Sequence, residues 1–310
     1  MRHAFVMDPL EGVKPHKDTT YLLMLAARER GHDVFYIDPS TLHLRHDETW
    51  ASVTNVDVCD AHDCPFESLS TEIVSLATMD IVWIRSDPPF DRGYFYVTLL
   101  LDYLPDRVQI INRPATVRDW NEKLAALRYP HFTPHTLVSR RAVDIQAFFS
   151  AHERITIKPV DGHGGKGIIF LDHSLSAEDQ QSGIERATRG GRHWVVVQEY
   201  LPAARDGDKR ILLLDGQPLG AILRVHAEDV ELNNLDQGGR AINAELDDKD
   251  QEICDAISED LVAHGVRFAG IDVIGGMLIE VNITSPTGLR EMSDFDGIKY
   301  HHKIIERLER

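Results

Sequence analysis

Residues 154–172 read RITIKPVDGHGGKGIIFLD, and Gly162, Gly164 and Gly167 within them satisfy G-x-G-x-x-G. Alone, the pattern is ambiguous, because glycine serves both a close backbone approach to phosphate and any tight turn. The flanks narrow it. A dinucleotide fingerprint runs from a strand through its glycines into a helix whose N-terminus receives the pyrophosphate. Here the glycines run into the β-branched and aromatic IIFLD, so a second strand follows and a dehydrogenase is excluded. A G-x-x-x-x-G-K-[ST] phosphate loop is excluded too, since Gly167 follows Lys166 and no glycine stands five positions before Gly165. What remains is strand, glycine flap, strand, with Lys158 just before the flap. Amides of such a flap suit a triphosphate that the lysine neutralises. A mobile hairpin turn with a solvent-facing lysine has the same pattern, and this segment leaves both open.

A second constellation lies more than a hundred residues away. Asp272 stands in FAGIDVI, and Glu280 and Asn282 stand in MLIEVNIT, where isolated carboxylates are costly among apolar neighbours. A hard cation such as Mg²⁺ resolves that cost by taking carboxylate and amide oxygens, whereas a solvated strand face satisfies the same alternation. A two-residue turn at Gly275-Gly276 sets Asp272 opposite Ile279 and turns Glu280 to the other face. A three-residue loop of Gly275, Gly276 and Met277 sets Asp272 opposite Glu280, with Asn282 on the same face. The three-residue register is the expectation, because of the two it alone gathers the three ligands.

The rest of the chain supplies an α/β scaffold. HAFVMD, the helical TTYLLMLAARERG and HDVFYID predict a parallel βαβ unit, and DIVWIRSDPPFD a buried strand that delivers Arg85 to its C-terminal end. ATVRDWNEKLAAL reads as one helix capped by Thr116 or Asp119. The 310 residues carry a net charge of −17, with 33 Lys+Arg against 50 Asp+Glu, which argues against nucleic acid or an anionic membrane as partner and leaves room for a local basic pocket. No run approaches a membrane span or a signal-peptide core, so a cytoplasmic protein is expected. Cys59, Cys64 and Cys254 lack C-x-x-C spacing and read as structural thiols. His301 and His302 read as part of a solvated helix face.

Together, Lys158, the flap, QEYL at 198–201 and the Asp272, Glu280, Asn282 triplet resemble an ATP-grasp ligase, and more narrowly a bacterial glutathione synthetase. The likeness extends over nearly the whole chain, through VMDP, KDTT, DPPFD, RDWNEKL, KPVDGHGGKGI, QEYLPAARDGDKR, GGR, FAGIDVIG and EVNITSPTGLRE in order. It implies an ATP-grasp fold behind an N-terminal parallel βαβ (pre-ATP-grasp) domain: residues 1–122, a central lid domain 123–200 and a C-terminal domain 201–310 with the metal site. It also implies a carboxylate–amine ligase that joins γ-glutamylcysteine to glycine through an acyl phosphate, using ATP with Mg²⁺ or with Mn²⁺ in its stead, in a homo-oligomer (dimer or tetramer). By the same resemblance Lys123 and Lys158 hold phosphates and the flap closes over them through Asp161, Gly162, Gly164, Gly165 and Gly167. Gln198, Glu199, Tyr200 and Leu201 meet adenine, and Asp208 the ribose side. Asp272, Glu280 and Asn282 hold the metal. Arg210 faces the acyl phosphate, with Lys158 and Arg224 completing the catalytic set. Ser285, Pro286, Thr287 and Gly288 receive glycine, and Arg85 and Arg224 the dipeptide carboxylates.

Two positions depart from that pattern. Ser86 stands where the family commonly has lysine. The segment after Arg224, glycine-rich with an arginine in the family, here reads VHAEDVELNNLDQ and carries Glu228, Asp229 and Glu231. Lineage drift in a solvated loop accounts for the change. Read instead as selection, an acidic lid over 226–237 would favour a less anionic substrate, so a related ligase of another acid or amine is the alternative, followed by a nucleotide-binding protein without turnover.

Overall fold

The computed structural model describes residues 1–61, 63–226 and 239–310. The acidic lid residues Glu228, Asp229 and Glu231 therefore lie outside the described residues. Along the chain the elements are β1 (Arg2–Val6), α1 (Thr19–Glu29), β2 (Asp33–Ile37), β3 (His43–Arg45), β4 (Glu48–Val58), β5 (Phe66–Ser75), β6 (Ile81–Ile84), α2 (Arg92–Leu101) and β7 (Gln109–Ile111). Next come α3 (Pro114–Asp119), α4 (Glu122–Ala126), β8 (Thr136–Ser139), α5 (Ala142–Ser150), β9 (Arg154–Pro159), β10 (Ile169–Asp172), α6 (Ala177–Thr188) and β11 (Val195–Glu199). The last part holds β12 (Asp208–Leu214), β13 (Gln217–Val225), β14 (Arg240–Ala244), α7 (Asp248–Ala263), β15 (Phe268–Ile274), β16 (Met277–Asn282), α8 (Leu289–Asp296) and α9 (Tyr300–Leu308).

Three sheets result, ordered β3-β4-β2-β1-β6-β7 with β5 beside β4, then β10-β9-β11-β8, then β14-β13-β12-β15-β16. The apolar cores of β1, β2 and β6 pair in parallel, as the β–α–β order requires. Asp18 starts the crossover helix α1 by accepting from Tyr21 N–H. The antiparallel extension β3–β5 was not read from the sequence. In β4 the buried positions alternate, but β5 is exposed along most of its length and carries no core periodicity.

ATVRDWNEKLAAL is two helices rather than one. Trp120 is extended, and Asn121 caps the second by accepting from Lys123 N–H and Leu124 N–H. That break aims α4, with Lys123 on it, at the cleft. α8 and α9 pack against α1, and Leu212, Ile222, Phe268, Met292 and Ile304 share one core with Phe5, Leu22 and Trp83 of the N-terminal sheet. Asn112 ties the same two parts together. Its Nδ2 donates to the carbonyls of Phe268 and Ile283, both at 2.7 Å, and its Oδ1 accepts from the N–H groups of Arg267 and Phe268 at 2.8 and 2.9 Å.

His301 is not on a solvated face as expected: it is buried, and His302 pairs with Glu29 at 2.8 Å. Cys254 is buried, but Cys59 and Cys64 are exposed. Burial holds His301 at a pKa of about 4 and His3 at about 3, below the ordinary 6.5. Between about 6.5 and 4 the unfolded chain thus binds protons that the folded one refuses, so stability falls as pH is lowered through that window. A thermal midpoint dropping from pH 7 to pH 5, less steeply in His301→Gln, is expected. An identical slope in the variant would remove His301 from the effect.

Candidate functional site

The sheets of β8–β11 and β12–β16 enclose, with the start of α1 and the loop before it and the segment just after β6, a cleft of about 530 Å³. Its floor is the β15–β16 hairpin, and there the sequence-based register was half right. The turn has two residues, Gly275 and Gly276 at φ 58° and 76°, the left-handed pair a tight hairpin needs, and Ile274 faces Met277. Asp272 nevertheless faces Glu280, because β16 inserts Ile279 as a bulge between Leu278 and Glu280. The bulge restores the face that a regular two-residue hairpin would lose, and brings Asp272, Glu280 and Asn282 together on the cleft.

Around that floor stand Arg85, Lys123, Lys158, Arg210 and Arg224, all buried and all lining the cleft, in a chain whose net charge is −17. Arg210 grips Asp272 through two bonds, Nε to Oδ1 at 2.5 Å and Nη2 to Oδ2 at 2.9 Å. Arg224 lies between Asp208 at 2.5 Å and Asp272 at 3.0 Å. Burial works against ionised Asp272, but the two guanidinium groups overcome it and hold the carboxyl well below the usual range. Burial likewise opposes charge on Lys123, yet Glu280 at 3.6 Å and Glu122 at 2.5 Å raise its pKa. Lys158 is lowered by burial, and its Nζ donates to Gln198 Oε1 at 2.9 Å. Gln198 in turn donates to Thr136 Oγ1, which fixes the lysine's direction.

Arg85 differs from its neighbours. Nε donates to Thr20 Oγ1 at 2.9 Å and Nη2 to the Pro286 carbonyl at 3.0 Å, while Nη1 is buried with no hydrogen-bond partner among the described residues. Burial lowers its pKa. A guanidinium desolvated against neutral oxygens retains a strong demand for an anion.

The flap between β9 and β10 keeps Gly164, Gly165 and Gly167 at φ 61°, 74° and 78°, a backbone path that other residues follow only under strain. Lys123 Nζ donates to the Gly162 carbonyl at 2.6 Å and so anchors the flap to α4. Gly162, Gly164, Gly165 and the run Gln198, Glu199, Tyr200, Leu201 line the cleft, as do Asp208, Ser285, Pro286 and Thr287. Asp161, Gly167 and Gly288 do not; Asp161 is exposed, and Gly288 packs near the Arg210 side chain and Ile222. The structure adds Lys14, Lys17, Thr20, Glu122 and Thr156 to the lining. Lys17 and Thr20 belong to KDTT, Glu122 to RDWNEKL and Thr156 to RITIKPV, but none of these residues carries a role in the sequence pattern, and Lys14 stands outside every motif.

Comparison with known proteins now bears on this geometry. The description "Prokaryotic glutathione synthetase, N-terminal domain" matches residues 1–118, and "Prokaryotic glutathione synthetase, ATP-grasp domain" matches residues 122–297. The chain belongs to the prokaryotic glutathione synthetase family. Among its relatives, the glutathione synthetase of Parasynechococcus marenigrum is 41% identical over 99% of both chains. That of Gloeobacter violaceus is 39% identical over 99% of this chain and 96% of its own. Coxiella burnetii supplies one at 36% identity, covering 96% and 92%. Among solved structures, a D-cycloserine synthetase superposes with a TM-score of 0.67 at 19% identity, over 99% of this chain and 100% of that one. A RimK-domain ATP-grasp protein from Sphaerobacter thermophilus gives 0.63 at 18%, over 99% and 98%. Those two likenesses bear on the fold, which is ATP-grasp. No helix among the described residues is long and apolar enough to cross a membrane.

Proposed function

We infer that this chain is an ATP-dependent ligase that joins γ-glutamylcysteine to glycine and releases glutathione, ADP and phosphate. Full-length similarity to glutathione synthetases supports the reaction. The observation that carries the residue roles is the convergence of buried cations on the Asp272–Glu280 floor beneath a glycine flap.

In the chemistry proposed, the cysteinyl carboxylate of the dipeptide attacks the γ-phosphorus of ATP, ADP leaves, and an acyl phosphate results. The glycine amine then adds to the acyl carbon, phosphate departs and the amine loses its proton. Lys123 and Lys158 hold the phosphates, and the flap, from Asp161 through Gly162, Gly164 and Gly165 to Gly167, covers them with its amides. Gln198 to Leu201 meet adenine, and Asp208 the ribose side. Arg210 lies against the acyl phosphate and the tetrahedral oxyanion, where a fixed cation lowers the barrier most. Ser285 to Gly288 receive the glycine carboxylate. Arg85 suits a dipeptide carboxylate better than Arg224, since two aspartates already occupy Arg224.

Asp272, Glu280 and Asn282 form an all-oxygen set that fits Mg²⁺, or Mn²⁺ in its stead. Among the described residues Oδ1 of Asp272 takes one hydrogen bond, from Arg210, and a carboxylate oxygen has capacity for more. When bound, the ion neutralises charge on the β- and γ-phosphates. The division at 1–122, 123–200 and 201–310 is supported by one sheet falling within each interval. Exposed Phe95, Tyr96 and Tyr103 on and beside α2 offer an apolar surface for a homo-oligomer, dimer or tetramer, and the proposed place of the enzyme is the cytoplasm. Light scattering reads its mass.

The reaction is tested by mass analysis of the product formed from ATP, γ-glutamylcysteine and glycine, with a panel of other acids and amines beside it. Glutathione is expected; failure of glycine while another amine turns over would overturn the reading. Arg85→Ala is expected to raise KM for the dipeptide about 10- to 100-fold with kcat largely kept. An unchanged KM would move the carboxylate elsewhere.

A further inference from the structure

At the edge of the β8–β11 sheet, two imidazoles and a carboxylate meet: His135 just before β8, His152 just after α5, and Glu199 at the end of β11. Each offers one ligand atom, and the three atoms lie within 4.8 Å of one another. The chain holds two of the three in position. Glu199 Oε1 accepts from the His135 backbone N–H at 2.9 Å, and Oε2 lies 3.9 Å from His135 Nδ1. The His152 ring stacks on Phe148 with centroids 4.2 Å apart, and its Nδ1 lies 2.8 Å from the Phe148 carbonyl. A carbonyl only accepts, so Nδ1 carries the proton and Nε2 carries the lone pair. A backbone carbonyl on the far ring nitrogen is the outer contact that orients metal-binding histidines.

We propose that His135, His152 and Glu199 bind a borderline divalent transition ion, Zn²⁺ in particular. Two imidazole nitrogens and one carboxylate oxygen, with solvent completing the shell, match tetrahedral zinc, whereas Mg²⁺ prefers oxygen alone. Tetrahedral ligand atoms at zinc bond lengths sit on the order of 3.4 Å apart. The His135 side chain is 80% exposed and its ring packs edge-on to His152 itself, centroids 5.7 Å apart, so a turn that closes the gap stays within the cluster. The ion ties the entry of β8 to the exit of β11, whose last residue also lines the ATP cleft. The set is separate from Asp272, Glu280 and Asn282, which present only oxygen or amide ligands. A plain His135–Glu199 ion pair is the competing account of the same geometry.

Co²⁺, a spectroscopic substitute for zinc, tests this on the full chain without nucleotide and with Mg²⁺ in excess. One Co²⁺ per chain with the strong visible absorption of tetrahedral coordination, displaced by Zn²⁺, is expected. His135→Ala and His152→Ala should each weaken binding at least tenfold, with circular dichroism reporting that each variant is folded, while Glu280→Gln binds as the parent does. The exposed position of His135 makes its variant the decisive one. Absence of tetrahedral absorption, equal binding by folded His135→Ala, or loss of binding in Glu280→Gln overturns the site.

Discussion

Glu280→Gln is expected to slow ADP release by on the order of 10³-fold while the fold is kept. The replacement is nearly isosteric and still offers an oxygen, so shape and burial change little. What disappears is a negative charge that faces Lys123 at 3.6 Å and, across the hairpin, Asp272. In the chemistry proposed, that charge binds the divalent ion and, with Glu122, favours the charged form of the lysine that anchors the flap. Both losses fall on the phosphoryl-transfer step, so kcat drops rather than KM for glycine. Steady-state ADP release at saturating substrates checks it, with far-ultraviolet circular dichroism as the control for folding. A rate within threefold of the parent would remove Glu280 from the phosphate site.

Asn112→Ala is expected to cost about 3–5 kcal/mol of folding stability, among the larger effects a single substitution produces. Asn112 is buried and its amide serves four backbone groups, the carbonyls of Phe268 and Ile283 and the N–H groups of Arg267 and Phe268. Alanine leaves all four desolvated without a partner. Asn112→Asp should also destabilise, because a carboxylate cannot donate to the two carbonyls. Urea denaturation reads the loss as a lower midpoint, and a change below about 1 kcal/mol in the alanine variant would show that other groups take over these bonds.

Much of the candidate site was legible because its signals are local. Lys158 precedes Gly162, the first glycine of the flap, by four residues, and β-branched strands on both sides of the glycines are enough to exclude a helix-borne dinucleotide site. The parallel β1–α1–β2 unit likewise follows from periodicity within one short window. Other features had no such signal. The break at Trp120 turns one expected helix into two, and its trace in the sequence was Asn121 followed by Glu122 and Lys123, a cap signature overlooked inside an apolar pattern. The exposed β5 has no core face to betray it. Burial of His301 depends on α1 and α9 packing together, across a separation of more than two hundred residues.

The sequence by itself determined the strand–flap–strand segment, the carboxylates among apolar strands and the order of motifs that mark the family, because propensity, side-chain period and motif spacing act over a few residues. Tertiary structure decided the rest. The bulge at Ile279 turns Glu280 toward Asp272, the two arginines close on Asp272, and Arg85 is buried with no acid among the described residues hydrogen-bonded to it. These outcomes depend on strand register and on which distant side chains share a desolvated space, where charges interact far more strongly than they do in water. No local window contains both partners, so folding alone brings them into contact.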